Sequence, residues 1–170
     1  MKIGGVKELT VNASAEKVWR ILAHEYDEIS RWAVVIEQST VADDLPTPDG
    51  AQVGGRVCTA QGFGQIKEKF VHYDEANMTY TYHAVEGLPS FMKRAENTWS
   101  VRSIDTDANS TQAVIKSDSF VELSFFPGIF LYPLMKWQIG RMGDRTFEEL
   151  KYYIENDKPH PRKVKAQKSR

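Results

Sequence analysis

The chain has 170 residues, 41% of them hydrophobic and 26% charged, which suits a globular protein with one domain and a sizeable core. The net charge of −1 hides an asymmetry: residues 158–170 hold six basic residues and no acid, so the remainder carries −7. An acidic body argues against a nucleic-acid-binding domain, and no apolar run approaches the roughly 18 residues of a membrane-spanning helix. The single cysteine, Cys58, cannot form an internal disulfide. Because Met1-Lys2-Ile3 runs straight into Gly4-Gly5, without a signal-peptide pattern, a reducing cytoplasm is the expected setting.

In chain order, residues 5–12 read as a strand, with Val6, Leu9 and Val11 among polar neighbours. A helix then starts at Asn12-Ala13-Ser14, with Ser14 or Asn12 as its cap. Ala15, Val18, Ile21, Leu22 and Tyr26 form its apolar stripe. A second short helical turn is expected over 27–31, and Val34-Val35-Ile36 is strand-like. Residues 43–55, rich in Asp, Pro and Gly, form a loop.

Four strands with clear alternation follow. Ile66, Glu68 and Phe70 share a face in 65–71, and Met78, Tyr80, Tyr82 and Ala84 in 78–84. Ala95, Asn97, Trp99 and Val101 share a face in 92–102. In 111–123 the matching set is Ala113, Ile115, Ser117, Ser119, Val121 and Leu123. The opposite faces are mostly polar, so the sheet is antiparallel and needs a cover on one side only. The cover is the segment 131–156, where Leu131, Leu134, Met135, Gln138, Met142, Phe147, Leu150 and Ile154 recur near helical spacing. Pro133 lacks an N–H and fits a first turn, so the regular helix is expected to begin near it. The basic stretch 158–170 offers little to pack and reads as a disordered tail behind a 1–157 domain.

The stretch Val11-Asn12-Ala13-Ser14-Ala15-Glu16-Lys17-Val18-Trp19 resembles the opening signature of the START-like, or SRPBCC, superfamily. Trp32, Val53-Gly54 with Arg56-Val57, Gly64-x-Ile66-x-Glu68, Tyr80-x-Tyr82 and Phe147-x-x-Leu150-Lys151 follow in the order of that family, nearest to its polyketide cyclase/dehydrase branch. The resemblance spans roughly residues 5–156. It implies an α+β helix-grip fold: a curved antiparallel sheet of six or seven strands around a long C-terminal helix, with short helices after the first strand. It also implies a deep pocket for lipids, polyketides, quinones or hormones, and supplies no universal catalytic motif.

The inward face carries Glu68, Asn97, Ser117, Ser119 and the hydroxyls of Tyr80 and Tyr82. Buried polar groups without partners cost about 1–3 kcal/mol each, so these either line a hydrated cavity or satisfy one another. With Trp32, Arg56, Phe70, Trp99 and Ile115, and with Met135, Gln138 and Met142 from the helix, they are the expected ligand contacts. Glu68 either pairs with Arg56, one strand earlier, or takes a raised pKa and serves as a general acid or base.

Three readings follow. The first is a carrier of a hydrophobic small molecule. The second is a cyclase or dehydratase for an aromatic polyketide-like substrate, in which Glu68 moves protons with help from Tyr80. The third is a protein-partner module using the apolar run 123–132. There Phe125, Phe126, Ile129 and Phe130 form a lid, a self-association contact, a membrane-touching lip or the packing of a helix start. Gly140 and Gly143 each cost the helix about 1 kcal/mol relative to alanine, so they allow close approach to the sheet or let the helix flex. His24, His72, His83 and His160 are dispersed, so no metal is expected. Gly62-Phe63-Gly64 precedes a strand and lacks a third glycine, and no Gly-x-Ser-x-Gly elbow occurs. No cofactor is expected, and Cys58 reads as an inert buried thiol.

Overall fold

The computed structural model describes residues 1–104 and 111–168, and of 125–131 the backbone only. The alternating segments form one seven-stranded antiparallel sheet, from β1 (Lys2–Val11), β2 (Ile36–Val41), β3 (Gly55–Ala60), β4 (Gly64–Asp74), β5 (Thr79–Glu86), β6 (Met92–Ser103) and β7 (Ala113–Leu123). The spatial order is β1-β7-β6-β5-β4-β3-β2: a meander from β2 to β7, with β1 on the far edge beside β7. Register places Arg56 opposite Glu68. It also aligns Tyr82, Asn97 and Ser119 in one row across β5, β6 and β7.

Between β1 and β2, Ser14 caps α1 (Ala15–Trp19), its hydroxyl accepting from the Lys17 N–H at 3.3 Å. The chain continues through a π-helical turn, Arg20–His24, and a 3-10 segment, Tyr26–Arg31. Trp19, Ile21, Leu22 and Tyr26 turn into the core against Phe70, Tyr80, Trp99 and Ile115, where Leu150 and Ile154 join them. A smaller cluster of Ile3, Leu123 and Met135 sits apart from it. This is the expected helix-grip architecture, with a long helix, α2 (Phe125–Asn156), across the concave side. No helix among the described residues is long and apolar enough to cross a membrane.

Two expectations need correction. The helix starts at Phe125 and Pro133 lies inside it, so the regular helix does not begin near that proline. Pro127 falls in the first turn, where backbone N–H groups have no intrahelical partner, and so does not block the start. The side chains of Phe125, Phe126, Ile129 and Phe130, and with them the contacts expected of that run, lie outside the described residues.

Nor are the described residues 158–168 of the basic stretch a disordered tail. Asp157 ends α2 in the left-handed conformation, φ 54°, the usual stop for a helix. The chain then forms α3 (Pro161–Lys168). Lys163 is 1% exposed, and its ammonium donates to the carbonyls of Ala33 at 2.9 Å and Ile36 at 2.6 Å. A long methylene stem and a charged tip let lysine fill this slot, which composition alone does not reveal.

Lys163→Met keeps the stem and leaves those two carbonyls without their donor. It is expected to lower unfolding stability in urea by about 2 kcal/mol or more; an unchanged midpoint would return the segment to a solvated tail. A second expectation concerns Glu75, whose carboxylate accepts from the indole of the buried Trp19 (2.9 Å), from Tyr73 (2.7 Å) and from His24 (2.8 Å). Partial burial pushes its carboxyl up, but the three donors outweigh that and hold it below the usual carboxylate range. The stability this confers is present above the unfolded glutamate pKa and is lost as pH falls through the lowered folded value. Glu75→Ala should therefore cost about 1–3 kcal/mol at neutral pH, with the gap to the wild type narrowing in acid denaturation curves.

Candidate functional site

A cavity of about 530 Å³ lies between the sheet and its covers. Its position follows from how α2 is held. Phe147 stacks on Trp99, ring centroids 5.5 Å apart and planes 17° from parallel. C-terminal to that contact, Leu150 and Ile154 are fully buried. N-terminal to it come Gly143 and Gly140, and the helix stands off the sheet. Lys7 of β1 reaches across, donating to the Gly140 carbonyl at 3.3 Å and pairing with Asp144. A side chain at Gly143 would crowd the Lys7 ammonium at 3.0 Å, so this glycine permits the close approach. A Cβ at Gly140 would meet nothing within 4 Å; that residue borders the cavity.

The most polar part of the wall is one buried ion pair. Arg56 is 5% exposed. Its Nε donates to Glu68 Oε2 at 2.6 Å and its terminal nitrogen to the Tyr26 carbonyl at 2.7 Å. The guanidinium lies 3.9 Å from the centroid of the Tyr26 ring, whose hydroxyl donates to Glu68 at 3.4 Å. Burial alone would pull the guanidinium pKa down; the Glu68 carboxylate beside it carries it well above its ordinary value. Burial, with Glu68 nearby, pushes the Tyr82 phenol up to about 12, so it stays protonated at neutral pH. The Tyr80 hydroxyl donates to the Leu22 carbonyl at 3.1 Å, and Ser117 to Asn97 Oδ1 at 2.8 Å. Much of the polar inner face is thus already partnered.

Of the residues singled out from sequence, Trp32, Arg56, Glu68, Tyr80 and Tyr82 border the cavity, as do Asn97, Trp99, Ser117, Ser119 and Met142. Phe70 and Ile115 do not. They point inward as expected but lie deeper: the Phe70 ring sits 4.2 Å from that of Tyr26, and Ile115 is wholly buried in the core. Met135 packs with Ile3 and Leu123 instead. Gln138 faces a separate groove on the other side of α2.

Sequence reasoning missed Ile21, Leu22, Tyr26 and Ile29, which wall one end of the cavity; their helical spacing was visible but indicates only burial. Cys58 is 2% exposed with its thiol pKa lifted by burial, as an inert thiol should be. Among the described residues no cluster of three or more His, Cys, Asp or Glu side chains is placed to hold a metal ion.

Residues 6–155 match the family model described as polyketide cyclase / dehydrase and lipid transport. No curated protein matches the chain. Among solved structures, a START superfamily protein from Mycobacterium smegmatis superposes with a TM-score of 0.67 at 16% identity, covering 89% of this chain and 96% of its own. Ara h 8.0201 gives 0.61 at 16% identity, covering 91% and 98%. A Thalictrum flavum norcoclaurine synthase point mutant, in complex with a transition-state analogue, gives 0.59 at 19% identity, covering 88% and 94%. At these identities the three structures establish the fold.

Arg56→Met strands the Glu68 carboxylate in the wall, and losing one partner of a buried pair typically costs about 3–5 kcal/mol. The double variant Arg56→Met/Glu68→Leu removes both charges and is expected to recover most of that loss in denaturant unfolding. A double variant as unstable as the single would show that the pair is not what the strands depend on.

Proposed function

Because the chain belongs to the polyketide cyclase/dehydrase and lipid-transport family, we propose that it binds and carries a hydrophobic small molecule, such as a lipid, polyketide or quinone, in the cavity under α2. The observation that carries this reading is the state of the polar groups around that cavity. An acid or base must be able to exchange a proton with its substrate. Glu68 is held by Arg56 at 2.6 Å, and the Tyr80 proton is committed to the Leu22 carbonyl. The pair best placed by sequence for cyclase or dehydratase chemistry is therefore occupied in holding the wall together. What the cavity offers instead is volume and apolar surface. Its volume of about 530 Å³ falls in the range that small-molecule sites use. Each 100 Å² of apolar ligand surface removed from water contributes about 2.5 kcal/mol.

The test uses Nile red, a neutral apolar dye, titrated against tryptophan emission. Trp99 and Trp32 both border the cavity, so entry should quench that emission. Gly140→Leu projects a side chain into the empty space above Gly140 and replaces a poor helix former with a good one, a gain of about 1 kcal/mol in helix propensity. The expected result is loss of dye binding with no fall in thermal midpoint. Unchanged dye binding in Gly140→Leu would put the dye elsewhere and overturn the reading.

A further inference from the structure

We infer that the ligand is an acidic amphiphile, its apolar body in the cavity and its carboxylate or phosphate in a second, arginine-lined groove that adjoins it. This rests on the carrier reading above and adds the ligand's chemical class. The groove has a volume of about 420 Å³ and lies where α2, α3 and the Val34–Val35 segment meet. Gln138, Arg141, Met142, Arg145 and Glu149 recur along one face of α2, and Arg162 reaches in from α3. Val35, Met142 and Thr146 border both the groove and the cavity. The two spaces therefore share part of their wall. Met142, part of that wall, is 39% exposed, and its unbranched thioether can change rotamer with little strain.

The groove's charge names the headgroup. Three guanidiniums and the Glu149 carboxylate line the groove, and a second carboxylate, Glu148, pairs with the terminal nitrogen of Arg162 at 2.7 Å. The buried Arg162 Nε lies 3.4 Å from Glu149 but outside hydrogen-bond geometry. Neither Arg141 nor Arg145 makes an ion pair among the described residues; Arg141 lies over the Trp137 ring, 4.8 Å from its centroid. Guanidinium forks match carboxylate and phosphate oxygens two bonds at a time. This concentration of positive charge sits against a wall that the groove shares with the cavity. A neutral ligand would leave it unused.

The experiment compares dodecanoate, dodecyl phosphate and dodecanol as competitors of Nile red. All three share a chain and differ only at the head. The expected result is that at least one acid binds about tenfold or more tightly than the alcohol, the gain of a charge-assisted hydrogen bond; whichever acid is tighter identifies the headgroup. In Arg141→Gln/Arg145→Gln that preference should collapse while dodecanol and Nile red bind as before. Both side chains are exposed, so the variant should keep the wild-type thermal midpoint. Equal binding of acids and alcohol, or a preference that survives in the double variant, overturns the inference and leaves the carrier reading standing. Failure of Nile red to enter the wild-type protein removes the carrier reading and this inference with it.

Discussion

A helix is about 10–12 Å across with its side chains, whereas seven strands at about 4.8 Å spacing make a sheet roughly 29 Å wide. One helix cannot cover such a face. The rest of the structure can be understood as the answer to that mismatch. The α1 and 3-10 segment between β1 and β2 covers one region with Trp19, Leu22 and Tyr26. The C-terminal half of α2 covers another through Phe147, Leu150 and Ile154. Ile3, Leu123 and Met135 close a third. The cavity is the space left between them, bordered by Ile3, Leu22, Tyr26 and Phe147.

An uncovered apolar surface with polar groups in it is costly unless those groups have partners. The wall meets that requirement from within. Arg56 and Glu68 face each other across β3 and β4, with Tyr26 packed over the guanidinium. That ring also bears on Phe70 and Tyr82, so the ion pair ties the covering segment to the sheet. The same partnering engages Glu68 with Arg56 and the Tyr80 hydroxyl with the Leu22 carbonyl.

How much of this was legible depends on which physical signal a residue gives. Period-two alternation put Asn97, Trp99 and Ser117 on the inner face, and the structure agrees. Alternation reports a face and not a depth, so Phe70 and Ile115 looked the same as the cavity-lining residues although other side chains cover them. The Arg56–Glu68 pair was foreseeable because a single hairpin sets its register. The start of α2 was hidden by Pro133, whose missing N–H suits a first turn, although the helix runs through it from Phe125. Lys163 was hidden by composition: a lysine in a basic stretch looks solvated until the carbonyls of Ala33 and Ile36, far away in sequence, are placed beside it. The arginine groove was illegible for the same reason, since α2, α3 and Val34–Val35 meet only in the folded chain.

The attachment of α2 is uneven along its length. Its C-terminal end is fixed by Lys151 to the Thr10 carbonyl, by Glu155 to the Asn12 N–H and by the Lys17–Asp157 ion pair. Near its middle, Lys7 holds the carbonyl of Gly140. Beyond that point Met135, with Tyr132 and Ile139 beside it, packs in the smaller cluster of Ile3 and Leu123. Mechanically, the C-terminal end of α2 is a clamp. Free energies of local opening differ along such an element. The ties at this end must all break before it opens, so the C-terminal half of α2 and the strands beneath it form the abutment from which the cavity wall is hung.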